Sequence, residues 1–185
     1  SYIASKAYTD RAGEGGAKVD LDLLREKSTD LFLLTGARGS ALWHYVSSRN
    51  EERAVQHLAH LIAIYGRENV FIQIEKHGIV EDDEIAERIV EAAVAAGLQL
   101  VATNNVFYLE QEDAKAQEVL LCIGAGTTLN DPSHPSLPND SYYLKSAEEM
   151  RDLFADKYPE ALANTLKIAE ICDIELPIGG SLTLP

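Results

Sequence analysis

Apolar residues recur along this chain in two rhythms, and the switching between them marks out most of the elements. Asp20 precedes Leu21, Leu23 and Leu24, which predicts a short helix opened by an acidic cap. LFLLTG at 31–36 is a compact apolar run closed by glycine and reads as a buried strand. Asn50 then caps EERAVQHLAHLIAIYG, where Ala54, Leu58, Leu61, Ile62 and Tyr65 share one helical face and Gly66 ends the helix. In NVFIQIEKHG the rhythm changes to two, with Val70, Ile72 and Ile74 alternating with Phe71, Gln73 and Glu75. That is the pattern of a half-buried strand, which Lys76 to Gly78 then leave. EDDEIAERIVEAAVAAG opens with acidic residues suited to a helix N-terminus and stops at Gly97, and LQLVATN at 98–104 supplies another apolar strand.

The order is strand, helix, strand, helix, strand. Helical connections of this length imply parallel pairing with the helices packed outside, as in an open α/β sheet or a (β/α) barrel. Chemistry in such folds sits at the C-terminal ends of the strands. The first nineteen residues hold no sustained periodicity and read as a loop. Beyond residue 110, EQEDAKAQEVLLCIGAG predicts a helix ending at Gly124, and TLNDPSHPSLPNDS a long loop without core positions. SAEEMRDLFAD carries a capping box, Ser146 with Glu149, and PEALANTLKIAEIC starts with Pro159 at the first helical position. These two helices read as an appendage, and the tail ELPIGGSLTLP as a linker further along a longer chain. The expected division is an α/β part over 1–109 and a helical segment over 110–185.

Composition narrows the function classes. The chain has 185 residues, 16 Lys+Arg and 30 Asp+Glu, a formal charge of −14 that argues against a nucleic-acid surface of its own. No run approaches the roughly 18–20 apolar residues of a membrane span. The N-terminus lacks the basic-then-apolar order of a signal peptide, and two cysteines, Cys122 and Cys172, make no disulfide framework, so a cytoplasmic location is expected.

Three strand ends would face an active site: TGARGS, EKHG and TNNVFYL. Glu75, Lys76 and His77 bring an acid, an ammonium and an imidazole, or are satisfied polar residues at a strand end. Asn104 and Asn105 are neutral amides and Phe107 has no donor atom, so the third end reads as chemically quiet. His57 and His60 sit three apart on one helix without an acid to complete a metal set. Gly36 and Gly39 read as turn glycines rather than a phosphate loop. Both cysteines read as small buried hydrophobes. The run Glu81, Asp82, Asp83 and Glu84 reads as a solvated helix start.

The segments KVDLDLLREKSTDLFLLTGARGS, FIQIEKHG, LVATNNVFYL, EDAKAQEVLLCIGAGTTLNDP, YYLKSAEEMRDLFAD and PEALANTLKIAEICDIEL together resemble the bacterial DNA polymerase III alpha subunits, the C-family DNA polymerases. The match is to the C-terminal part of their PHP (polymerase and histidinol phosphatase) domain and the helices leading toward the palm. The resemblance implies a partial, distorted (β/α) PHP-type barrel with parallel strands, followed by a small helical segment. An HxH motif expected near the family's N-terminus is absent, which suggests a piece of a longer polymerase. Active PHP members have a Cys in the glycine turn, where Ala37 stands here, and an Asp and a His in the next-strand segment, where Asn105 and Phe107 stand. Neutral amide, methyl and phenyl groups cannot supply the anionic and imidazole ligands that would gather divalent metals. The resemblance therefore implies a degenerate PHP region without catalytic residue, metal or cofactor of its own, serving as scaffold and partner-contact surface. The parent polymerase would use Mg in its palm and would meet DNA elsewhere than through this acidic segment. Expected partners are the palm domain and other holoenzyme subunits, with no membrane, and exposed strand edges predict self-association. The competing reading is an enzyme, a PHP-type metal-dependent phosphoesterase or 3′–5′ proofreading exonuclease using Glu75 and His77 with ligands from outside this chain. A third is a free-standing interaction module.

Overall fold

The structure, a computed structural model, describes residues 2–10 and 17–173. The parts of the expected N-terminal loop at 1 and 11–16, and the linker-like tail over 174–185, lie outside the described residues. Three strands, β1 (Leu33–Leu34), β2 (Val70–Ile74) and β3 (Gln99–Ala102), form a parallel sheet in the order β1-β2-β3 that does not close on itself. Leu33 stands opposite Val70, and Ile72 opposite Leu100. Helices α3 (Ala41–Ser47) and α4 (Glu51–Tyr65) connect the first two strands, and α5 (Val80–Ala96) the second and third. This is the parallel α/β arrangement expected from the alternation of periods, and the unclosed sheet is consistent with the partial barrel that the resemblance implies.

Local chemistry sets the helix ends. Before α2 (Leu21–Glu26), the Asp20 carboxylate accepts from the Leu23 N–H at 2.8 Å; ahead of α4, the Asn50 side chain accepts from the Arg53 N–H at 3.2 Å. Helix α5 stops at Gly97, which takes the left-handed conformation at φ +66° and donates its N–H back to Ala93 and Val94. A Cβ there would adopt strained dihedrals and meet the Arg67 guanidinium at 3.3 Å. Gly97→Ala is therefore expected to cost about 1–2 kcal/mol, read as a lowered denaturant midpoint at unchanged slope.

Several expected elements differ. Residues 2–10, read as loop, form helix α1 (Tyr2–Asp10), with Ala7 buried and the Lys27 ammonium 5.1 Å from the Tyr2 ring centroid. The next C-terminal helix, α6 (Ala114–Ala125), runs past Gly124, since Gly126 rather than Gly124 adopts the left-handed cap. Strand β2 is not half-buried either: Phe71 is as inaccessible as Val70 and Ile72. Val70, Ile72 and Ile74 join the core beneath α4 and α5, and Phe71 points to the opposite face, edge-on to Phe32 with centroids 6.2 Å apart. A central parallel strand is covered on both faces, and its alternation separates two buried sides rather than core from solvent.

Helices α7 (Ala147–Phe154) and α8 (Pro159–Ile171) carry the expected capping box and N1 proline. They do not stand apart as an appendage. Phe154, Tyr158 and Ala161 are buried in the same core as β2, β3 and α5. The Asn164 amide donates to the Leu100 carbonyl at 2.8 Å, and the Lys167 ammonium to the Gln99 side chain at 2.7 Å. Helix α8 thereby supplies a partner to the backbone of edge strand β3, which guards it against unwanted pairing. No described helix is long and apolar enough to cross a membrane.

Candidate functional site

Because the strands are parallel, the segments after all three emerge at one edge of the sheet, and the chain itself fills that edge. After β2, Glu75 and His77 turn inward with side chains only 9% and 6% exposed. Glu75 Oε1 accepts from Gln73 Nε2 at 2.8 Å and from the Thr103 hydroxyl, next to β3, at 3.3 Å. Its other oxygen lies 3.4 Å from His77 Nε2, within ion-pair range, yet that nitrogen makes no hydrogen bond. His77 Nδ1 lies 3.0 Å from the Ser141 hydroxyl. The structure thus brings together two of the three ionisable candidates of the EKHG segment. Lys76 departs, its ammonium 5.8 Å from the ring centroids of both Phe154 and Tyr158.

Tyr142 closes the site. Its ring stacks on His77 with centroids 4.1 Å apart and planes 15° from parallel, and Phe107 meets it edge-on at 6.0 Å. Main-chain bonds fix this cover: the Phe107 N–H donates to the Tyr142 carbonyl at 2.8 Å, and the Asn104 amide to the Tyr143 carbonyl at 2.6 Å. The Asn139 amide bonds the His77 carbonyl at 2.7 Å. Burial raises the pKa of the Tyr142 hydroxyl, keeping the ring neutral. Tyr142 carries no sequence signal of its role, since it follows a Pro/Asn/Ser loop and reaches the site only through tertiary packing.

The other candidates separate. Ala37 sits in the turn after β1, and Asn105 and Phe107 follow β3 with Asn105 exposed. Methyl, amide and phenyl groups supply none of the anionic or imidazole ligands of a transition-metal site. Among the described residues no three His, Cys, Asp or Glu side chains group so as to hold a metal ion. His57 stands edge-on to Tyr45 at 5.7 Å on α4, where burial first and His60 second lower its pKa. The acidic start of α5 is not wholly solvated, since Asp82 pairs with Arg38 of the glycine turn at 2.6 Å. Of the cysteines, Cys122 is buried in α6, but Cys172 is exposed at the end of α8 and is not the buried hydrophobe expected.

Below the cover, Glu149 fastens the turn into α7. The Tyr143 hydroxyl, the Ser146 N–H and the Ser146 hydroxyl hold its carboxyl down to about 2. A carboxyl depressed on folding contributes stability above its ordinary pKa of about 4.3 and loses it as pH falls toward 2. In acid titrations followed by circular dichroism, Glu149→Gln is expected to be less stable than the parent at pH 6 and to approach it between pH 4 and 2.

No family model matches the chain. It is 36% identical over 183 residues to the DNA polymerase III subunit alpha of Treponema pallidum (strain Nichols), covering 97% of this chain and 15% of that protein. The subunit of Thermus aquaticus is 36% identical over 182 residues and that of Escherichia coli (strain K12) 35% over 183, each again 97% of this chain and 15% of the relative. The chain spans about 15% of the length of the curated relatives it matches. Along nearly its whole length it is similar to one segment of the DNA polymerase III alpha subunits.

Proposed function

From that likeness we propose that this chain serves in bacterial DNA replication as a structural part of a DNA polymerase III alpha subunit, a degenerate PHP region acting as scaffold and partner-contact surface in the cytoplasm. The observation that supports it is the closed strand edge, where Tyr142 and Phe107 occupy the space in which α/β folds bind ligands. Nucleotidyl transfer and its Mg ions belong to the palm, outside this chain, and so does contact with DNA, which suits a formal charge of −14. The palm and other holoenzyme subunits are its partners. The edge of β1, unpaired on one side among the described residues, is where the chain by itself self-associates.

A second reading, a metal-dependent phosphoesterase or 3′–5′ proofreading exonuclease, draws support from one observation. His77 and Glu75 face each other, buried, with an imidazole nitrogen left without a hydrogen bond. The test is primer extension and degradation of a labelled 3′ end by a polymerase carrying this chain, with and without Glu75→Gln plus His77→Gln. The scaffold reading expects both rates unchanged below the unfolding temperature. Loss of 3′-end degradation with extension intact would assign a nuclease to the pair.

A further inference from the structure

The loop that delivers Tyr142 to the strand ends is tied down at its other end by a histidine whose two nitrogens both meet acceptors. His134 Nδ1 lies 2.6 Å from the Asp131 carbonyl and Nε2 2.7 Å from Glu118 Oε1 on α6. A neutral imidazole has one N–H, so it satisfies only one of these contacts and leaves a lone pair against the other acceptor. Both bonds form together only in the imidazolium. The rest of the clasp is acceptor-rich as well. Asp131 Oδ1 accepts from the Ser133 N–H at 2.8 Å and the Ser133 hydroxyl at 2.7 Å, and Oδ2 from the Thr127 hydroxyl at 3.1 Å. The charged groups facing His134 are thus Glu118 from α6 and Asp131 from the loop itself, with Lys115 one turn earlier on α6. At its far end the loop is held by Asn139 and Ser141 on His77.

We propose that residues 127–134 form a proton-sensitive strap, fastened to α6 most tightly while His134 is doubly protonated and charge-paired with Glu118, and loosened when it loses a proton and can satisfy only one of its two acceptors. The loosening is confined to this end of the loop, because the main-chain bonds to Phe107 and Asn104 hold Tyr142 over His77 independently of His134. The hydrogen bond to Glu118 first, and that to Asp131 second, raise the His134 pKa, in keeping with the geometry. A histidine raised on folding contributes stability that is complete below its ordinary pKa of about 6.5 and is lost as pH rises through the folded value. Loosening therefore comes on the alkaline side. This strap goes beyond the scaffold reading and does not depend on it.

The test pairs NMR titration of the five histidines with amide hydrogen-exchange protection factors across the strap, which divide out the intrinsic pH dependence of exchange, on the 185-residue chain between pH 5.5 and 9. The expected result is a His134 midpoint above about 6.5 and strap protection falling about tenfold through that same midpoint, the scale of one charge-assisted hydrogen bond. His134→Gln should remove the step and leave protection low throughout. Glu118→Gln, which removes the charge facing His134 and keeps an acceptor oxygen, should move both midpoints down together. A His134 midpoint at or below the ordinary value, flat protection across it, or a step that survives in His134→Gln would overturn the proposal, the last assigning the step to His77 at the other anchor.

Discussion

Phe154→Ala is expected to destabilise the fold by about 3–5 kcal/mol, more than any other single truncation in this core. Phe154 ends α7 at 1% exposure and packs in the same core as Ile74 and Tyr158, with the Lys76 ammonium near its ring. Removing the ring leaves a cavity where α7, α8 and the sheet meet, and the rigid parallel layer has little freedom to collapse into it. Denaturant unfolding monitored by circular dichroism checks this. One cooperative transition at a lower midpoint, with the slope unchanged, is the expected result, because α8 and the sheet share a core and unfold together. Two separated transitions would mean that the C-terminal helices form an independent unit.

Tyr142→Ala should follow closely, at about 3 kcal/mol, from the loss of a side chain 4% exposed and of its stack on His77. Its effect differs in kind from that of Phe154→Ala. The Tyr142 ring covers the strand ends rather than the interior between helices and sheet, so its removal lets water reach Glu75 and His77. Carbethoxylation of His77 by diethylpyrocarbonate, mapped by mass spectrometry under native conditions, should be slow in the parent chain and rapid in Tyr142→Ala. Equal rates in the two proteins, with the variant folded, would contradict the reading of Tyr142 as a cover.

What is legible in the sequence is whatever depends on near neighbours. The caps at Asp20, Asn50 and Ser146 with Glu149, and Pro159 opening α8, act over three or four residues, and each stands where its spacing places it. The alternation of periods yields the right order of strands and helices for the same reason. Helix α3 is masked in the sequence although Ser40, which accepts from the Trp43 N–H at 3.2 Å, is an ordinary cap signal; the neighbouring glycines favour a turn reading. Helix α1 is hidden because Ala7 is its one buried residue among those described, too little apolar surface to mark a face.

Contacts distant in sequence are not legible. Nothing near Phe71 indicates that its face of the sheet is also covered, and nothing near Asn164 points to Leu100, 64 residues away. At the site, Glu75 and His77 stand out by residue type, but their approach to each other depends on Thr103, Ser141 and Tyr142, each from another segment. The positions Ala37, Asn105 and Phe107 enter through resemblance to a family, and periodicity or spacing alone does not single them out.

The central proposal is that the strand-end site, over which Tyr142 stacks on His77, works as structure. Elemental mass spectrometry of a polymerase carrying this chain tests that claim most directly, after expression with zinc and manganese supplied and alongside an EDTA-treated control. The account predicts no stoichiometric zinc or manganese and DNA synthesis that is restored in full when Mg alone is returned. Near-stoichiometric metal that EDTA removes together with a 3′–5′ exonuclease activity would contradict it.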